Sequence, residues 1–103
     1  MFSNNNRINF KKREIIISST KCITGHTLSM SSALEVSLCF LFLKYNFIAG
    51  SANITTLDKF GRGLKIIRKS IKANPKVILN NSSGFGGANV CIVLKKYGVN
   101  LKN

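Results

Sequence analysis

A lysine and the single histidine of this chain stand five residues apart in Ser18-Ser19-Thr20-Lys21-Cys22-Ile23-Thr24-Gly25-His26-Thr27, with a glycine directly before the histidine. A histidine at the start of a helix lies in the positive end of the helix dipole, which favours the uncharged imidazole and leaves one ring N–H free to donate. Such a donor stabilises an oxygen that gains negative charge, an enolate for example. Taken alone, the histidine reads equally as a structural residue and the lysine as a surface charge at a strand end. A second segment, Asn81-Ser82-Ser83-Gly84-Phe85-Gly86-Gly87-Ala88-Asn89, combines glycines that tolerate positive φ with a backbone that can approach a ligand closely. Between strands such a loop is ordinarily a turn. Phosphate binding would need a helix after it, whereas Val90 to Leu94 is patterned as a strand, so a nucleotide site is disfavoured.

The elements that must position these residues can be read along the chain. Glu14 to Ile17 is a β-branched run ending at serines, which predicts a short buried strand delivering Lys21 and His26 to its end. Thr27 or Ser29 can cap a helix running through Ser31, Leu34, Leu38 and Phe42 toward Lys44 and Tyr45. Its faces are apolar nearly all round past Glu35, which predicts a core helix. Phe47-Ile48-Ala49 is a candidate short strand, and Gly50 to Asp58 an irregular connection. From Lys59 to Lys76, basic residues interleave with Leu64, Ile67 and Ile71 at helical spacing, compatible with a basic amphipathic helix that Gly61 and Gly63 weaken. After Pro75, Lys76 to Leu79 and Ala88 to Leu94 read as an antiparallel strand pair joined by the glycine-rich loop.

Composition limits the function classes. The 103 residues, 45% of them hydrophobic, suffice for at most one small domain. Sixteen Lys and Arg against three acids give a formal net charge of +13, which suits acidic partners but equally describes a solvated basic surface. No aromatic stacking platform or DNA-binding motif accompanies the basic segment, so no specific nucleic-acid partner is expected. Cys22, Cys39 and Cys91 form no C-x-x-C pair, and one histidine is available beside them. Neither a metal site nor a disulfide framework is expected, and Cys39 and Cys91 read as small buried hydrophobes of a reducing, cytoplasmic compartment. The apolar run Val36 to Leu43 falls short of the roughly 20 residues that cross a bilayer, so no membrane span is expected.

Together the two loops resemble the C-terminal part of the β-ketoacyl-acyl-carrier-protein synthases, where a T-K-x-x-T-G-H segment precedes an N-S-F-G-F-G-G-T-N loop. The segment Phe47-Ile48-Ala49-Gly50-Ser51-Ala52-Asn53-Ile54, followed by Leu57-Asp58, is similar to the F-I-A-P-S-I-N-I of the type I branch. The resemblance runs from about Ile15 to Tyr97. It implies an α/β chain that is the C-terminal fragment of a thiolase-like fold, with a core helix packed on a mixed sheet and a C-terminal antiparallel strand pair. It also implies a basic polar extension over 1–13, a partial synthase domain over 14–97 and a polar tail over 98–103.

For the site, the resemblance implies that His26 is the enolate-stabilising histidine and Lys21 the active-site lysine, paired with Glu35 on the following helix. Phe85 would give a backbone N–H to the oxyanion hole and gate the pocket with its ring, Gly84 and Gly86 flanking it. The implied reaction condenses an acyl thioester with malonyl-acyl-carrier protein, in fatty acid synthesis, without a cofactor. The implied partners are acyl-carrier protein and a second copy in a homodimer.

Several residues depart from the family pattern. Leu28-Ser29-Met30-Ser31-Ser32 stands where the family has L-G-A-A-G, Ser83 where it has a phenylalanine, Ala88 where it has a threonine, and Gly50 where it has a proline. None of the three cysteines lies in the family's nucleophile context, so this chain alone is expected to be inactive. The alternatives from the residues themselves are a small basic protein binding nucleic acid or a membrane surface through 59–76, and a non-functional remnant.

Overall fold

A computed structural model describes residues 15–100. The expected extension over 1–13 and the last three residues of the expected tail lie outside that range. In order, the elements are β1 (Ile16–Ile17), α1 (Lys21–Thr24), a 3₁₀ turn (Leu28–Met30), α2 (Ser31–Tyr45), β2 (Phe47–Ile48), β3 (Lys65–Ile66), β4 (Ile71–Lys72), β5 (Val77–Gly84) and β6 (Ala88–Lys95). This is a mixed α/β arrangement with one long helix.

The 15-residue helix α2 grows directly out of the 3₁₀ turn. Neither Thr27 nor Ser29 caps it: its N-cap is Met30, without a side-chain hydrogen bond, because the preceding turn already continues the helical path. The Thr27 hydroxyl is instead buried without a partner among the described residues. At the other end Asn46 adopts the left-handed conformation (φ 56°, ψ 52°) and its N–H returns to the Phe42 carbonyl, a local stop that asparagine tolerates well.

One stripe of α2, comprising Ser31, Cys39, Phe42 and Leu43, is buried, and α2 packs on β5 and β6. Phe42 meets Phe47 edge to face, ring centroids 4.9 Å apart. The opposite stripe leaves Phe40, Leu41 and Tyr45 exposed. The expectation of a helix covered all round is therefore corrected: apolar side chains stand on every face, but only one layer covers them among the described residues.

The 18-residue run Leu28–Tyr45 has a mean hydropathy of 1.3, long and apolar enough to cross a membrane by length and composition. The core helix of a folded domain passes the same test. Backward from Val36 this run takes in Glu35 and several serines.

The strands form three two-stranded ladders. β1 pairs with β3 in parallel, β2 with β4 antiparallel, and β5 with β6 antiparallel. Ile15 and Ile17 are exposed and Ile16 half-buried, so the first strand is shorter and less covered than expected.

The basic segment 59–76 holds no helix. Asp58 Oδ1 accepts the N–H groups of Phe60 and Gly61 in a tight turn, Gly63 takes φ 82°, and the chain then extends into β3 and β4. The helical spacing of Leu64, Ile67 and Ile71 does not prevail: the β-branched Ile66 and Ile71 pair in short ladders, and the glycines prevent a helix from starting. A helix-borne binding role for this segment loses its element.

The β5–β6 hairpin is longer than expected. The polar run Asn80 to Gly84 belongs to β5, and only Phe85-Gly86-Gly87 turns. Both turn glycines have φ 82°, which other residues rarely adopt. Ile78, Asn80, Ser82 and Leu94 are half-buried, whereas Val77, Leu79, Cys91 and Val93 form an exposed outer face. Cys91 is thus corrected from buried to exposed, since nothing among the described residues covers that face.

Candidate functional site

Lys21 opens the single turn α1, which β1 delivers and Gly25 ends at φ 72°. Its Nζ donates to Glu35 Oε1 of α2, one helical turn after the buried Ser31. The Lys21 side chain is 38% exposed and that of Glu35 14%. The ammonium thus secures a carboxylate that would otherwise lose hydration without compensation.

His26 lies exposed between Gly25 and the 3₁₀ turn. Its Nδ1 accepts the backbone N–H of Leu28 at 3.0 Å. An imidazole nitrogen that accepts carries no proton, so the neutral ring holds its proton on Nε2, and Nε2–H is the donor presented outward. The geometry depends on Leu28, which takes φ 54°, a left-handed conformation unfavourable for a leucine. No sequence signal marks that position.

Ser18, Ser19 and Ser51 join this region to distant parts of the chain. Ser18 Oγ donates to the Ala49 carbonyl, and Ser51 Oγ accepts the Ser19 N–H at 2.9 Å. Ser51 N–H donates to Ile67 O at 2.9 Å, and Ile67 N–H to Ile17 O at 3.2 Å. Gly50 permits the approach: a Cβ there would lie 2.4 Å from the Lys69 carbonyl carbon. The only advance signal for the serines is the Gly50-Ser51 pair.

The cysteines occupy three environments. Cys22 Sγ is exposed and accepts the Ala52 N–H at 3.1 Å. Burial pushes the Cys39 thiol up from its ordinary value, and the Glu35 charge adds to that shift, so it stays protonated and unreactive at neutral pH. Cys91 lies on the outer hairpin face. No cluster of three or more His, Cys, Asp or Glu residues suited to a metal ion occurs among the described residues.

The structure brings Lys21 and Glu35 together and sets His26 beside them in sequence. It leaves Phe85 at the hairpin tip, its ring fully exposed, with Gly84 in the last position of β5 and Gly86 in the turn. No hydrogen bond or ion pair among the described residues joins that tip to His26. The chemistry available within the first region is an Nε2–H donor on an exposed ring, able to hold an oxygen that becomes negative, on the same segment as a lysine held by a carboxylate.

Residues 1–55 match the family described as Beta-ketoacyl synthase, C-terminal domain. The chain belongs to this family. It is 43% identical over 88 residues to 3-oxoacyl-[acyl-carrier-protein] synthase 1 of Buchnera aphidicola subsp. Schizaphis graminum, which covers 85% of the chain and 22% of that relative. It is 42% identical over 82 residues to the synthase 1 of Haemophilus influenzae, covering 79% and 20%. With the synthase 1 of Escherichia coli strain K12 it shares 37% over 87 residues, covering 84% and 21%. The chain therefore spans about a fifth of the length of the curated relatives it matches, and it corresponds to their C-terminal part.

Proposed function

We propose that this chain is the C-terminal portion of a thiolase-like condensing enzyme, with a synthase domain over 14–97, and that it acts in the cytoplasm on malonyl-acyl-carrier protein. In the reaction the bond between the malonyl methylene carbon and its carboxylate breaks, releasing carbon dioxide and leaving an enolate of the thioester. The enolate carbon then attacks the carbonyl of an acyl thioester held on a cysteine. A carbon–carbon bond forms, the acyl–sulfur bond breaks, and the thiolate departs.

His26 Nε2–H would hold the enolate oxygen, with a second histidine supplied from outside these 103 residues. Lys21, fixed by Glu35, would order the polar groups around it. The Phe85 N–H, between Gly84 and Gly86, would bind the oxyanion formed at the acyl carbonyl, and its ring would gate the pocket. The nucleophile would also come from outside these residues. The observation that carries the reading is the Leu28 N–H bond to Nδ1, because it leaves Nε2–H as the donor that the enolate requires.

The test is co-expression of this chain with a polypeptide supplying the remaining part of a synthase 1, followed by an assay of carbon dioxide release and condensation on malonyl-carrier protein. The assembled complex is expected to be active, and His26→Ala to lower the rate about a hundredfold or more. Glu35→Gln should have a smaller effect, since it weakens the Lys21 contact without removing a group that meets the substrate. An active complex indifferent to His26→Ala would refute the reading.

A further inference from the structure

We propose that Ser51 is a positioning residue for the Lys21–His26 segment, an inference that rests on the roles just given to those two residues. Three segments meet through a chain of hydrogen bonds, beside the β1–β3 ladder and the bond from Ala52 N–H to Cys22 Sγ. Ile67 N–H donates to Ile17 O, Ser51 N–H donates to Ile67 O, and Ser19 N–H donates to Ser51 Oγ. Ile17 and Ser19 are thus both tied to Ser51, one through Ile67 and one directly. That leaves the intervening Ser18 little freedom, and Ser18 itself donates to Ala49.

Ser19 stands two residues before Lys21, so this anchor sets where the α1 turn begins. The start of α1 in turn sets where Lys21 Nζ meets Glu35 and where Gly25 releases His26. Ser51 is 6% exposed, and its hydroxyl oxygen is the acceptor; threonine keeps that oxygen on the same carbon, and cysteine offers a weaker sulfur acceptor in its place. The two backbone links through Ile67 survive any non-proline substitution; the link to Ser19 depends on the side chain alone. Losing that acceptor leaves the Ser19 N–H without a partner and lets the turn shift relative to α2. Ser51 touches no reacting atom in this account. It acts through Lys21 and His26.

The experiment is heteronuclear NMR on the full 103-residue chain, comparing wild type, Ser51→Ala and Ser51→Thr. Ser51→Ala is expected to speed exchange of the Ser19 amide about tenfold or more, with the Leu79 and Val93 amides of the hairpin changed less than about twofold. The Lys21 Nζ resonance should lose the protection that its carboxylate contact gives, and the His26 ring ¹⁵N shifts should move away from those of a pure Nε2–H tautomer. Ser51→Thr should restore all three. If Ser51→Ala fails to fold, Ser51→Cys, with a weaker acceptor of similar shape, is expected to give intermediate shifts of the same signals. The proposal is overturned if the Lys21 and His26 signals stay unchanged while Ser19 exchanges faster, or if every amide accelerates equally. These spectra need no substrate, so a failed co-expression assay would count against the condensing role and not against Ser51.

Discussion

Phe42 and Phe85 are the same residue type in opposite situations. Phe42 is 7% exposed and meets Phe47 edge to face, in a region where serines, an ion pair and the helix stitch Ile17 to Ser51 and Glu35. Phe85 projects fully into solvent from a three-residue turn, on a hairpin whose outer face is bare. The first region is organised by bonds within the chain. The second presents its functional candidate without a wall. Under the role proposed above, the donor side of the chemistry would be organised within the chain and the acyl side would take its wall from elsewhere.

Substitutions can break or sharpen that contrast. Phe42→Ala should cost about 3 to 4 kcal/mol, through lost burial and the cavity left against Phe47, and is expected to abolish a cooperative urea transition. Gly50→Ala should follow at about 3 kcal/mol, because the added Cβ meets the Lys69 backbone, which has no flexible end to swing away; a shifted urea midpoint with unchanged slope would record it. A proline at position 50 carries the same Cβ, so the family residue should fit here no better than alanine.

Leu28→Gly should act in the other direction. It relieves a left-handed leucine whose side chain is already 73% exposed, and a gain of about 1 kcal/mol is expected with the His26 ring shifts unchanged. Phe85→Ala comes last. A change below about 0.5 kcal/mol is expected in a thermal melt of this chain, whereas the assembled complex should lose activity. A large stability loss at Phe85 would erase the contrast between the two regions.

The parts legible in the sequence were those set by local pattern. Val77-Ile78 and Val90 to Leu94, placed around Gly86 and Gly87, announced the hairpin, and the apolar run ending at Lys44 announced α2. Glu35 was named as the partner of Lys21 through the resemblance to the condensing enzymes, and the scarcity of acids in the chain added support. What escaped depends on groups distant in the chain. The clamp at Ser51 brings together residues more than thirty positions apart, and the left-handed Leu28 contradicts its own residue preference. The helical spacing of Leu64, Ile67 and Ile71 misled because three apolar positions cannot outweigh two glycines at the start and the preference of β-branched residues for short ladders. The half-covered state of α2 was hidden because hydropathy marks what prefers burial, not what covers it.

The β5–β6 hairpin also has a colloidal consequence. Among the described residues it belongs to a sheet of only two strands, each eight residues long, so within that range each strand keeps an unpaired edge beside the exposed side chains of Leu79 and Val93. Unpaired edges of this length invite the strands of neighbouring molecules. The formal charge of +13 keeps such neighbours apart only while the solution leaves it unscreened, since salt shortens the reach of that repulsion to about 8 Å at physiological strength. Unaccompanied copies of the chain should therefore stay dispersed in dilute buffer and associate edge to edge as salt is added.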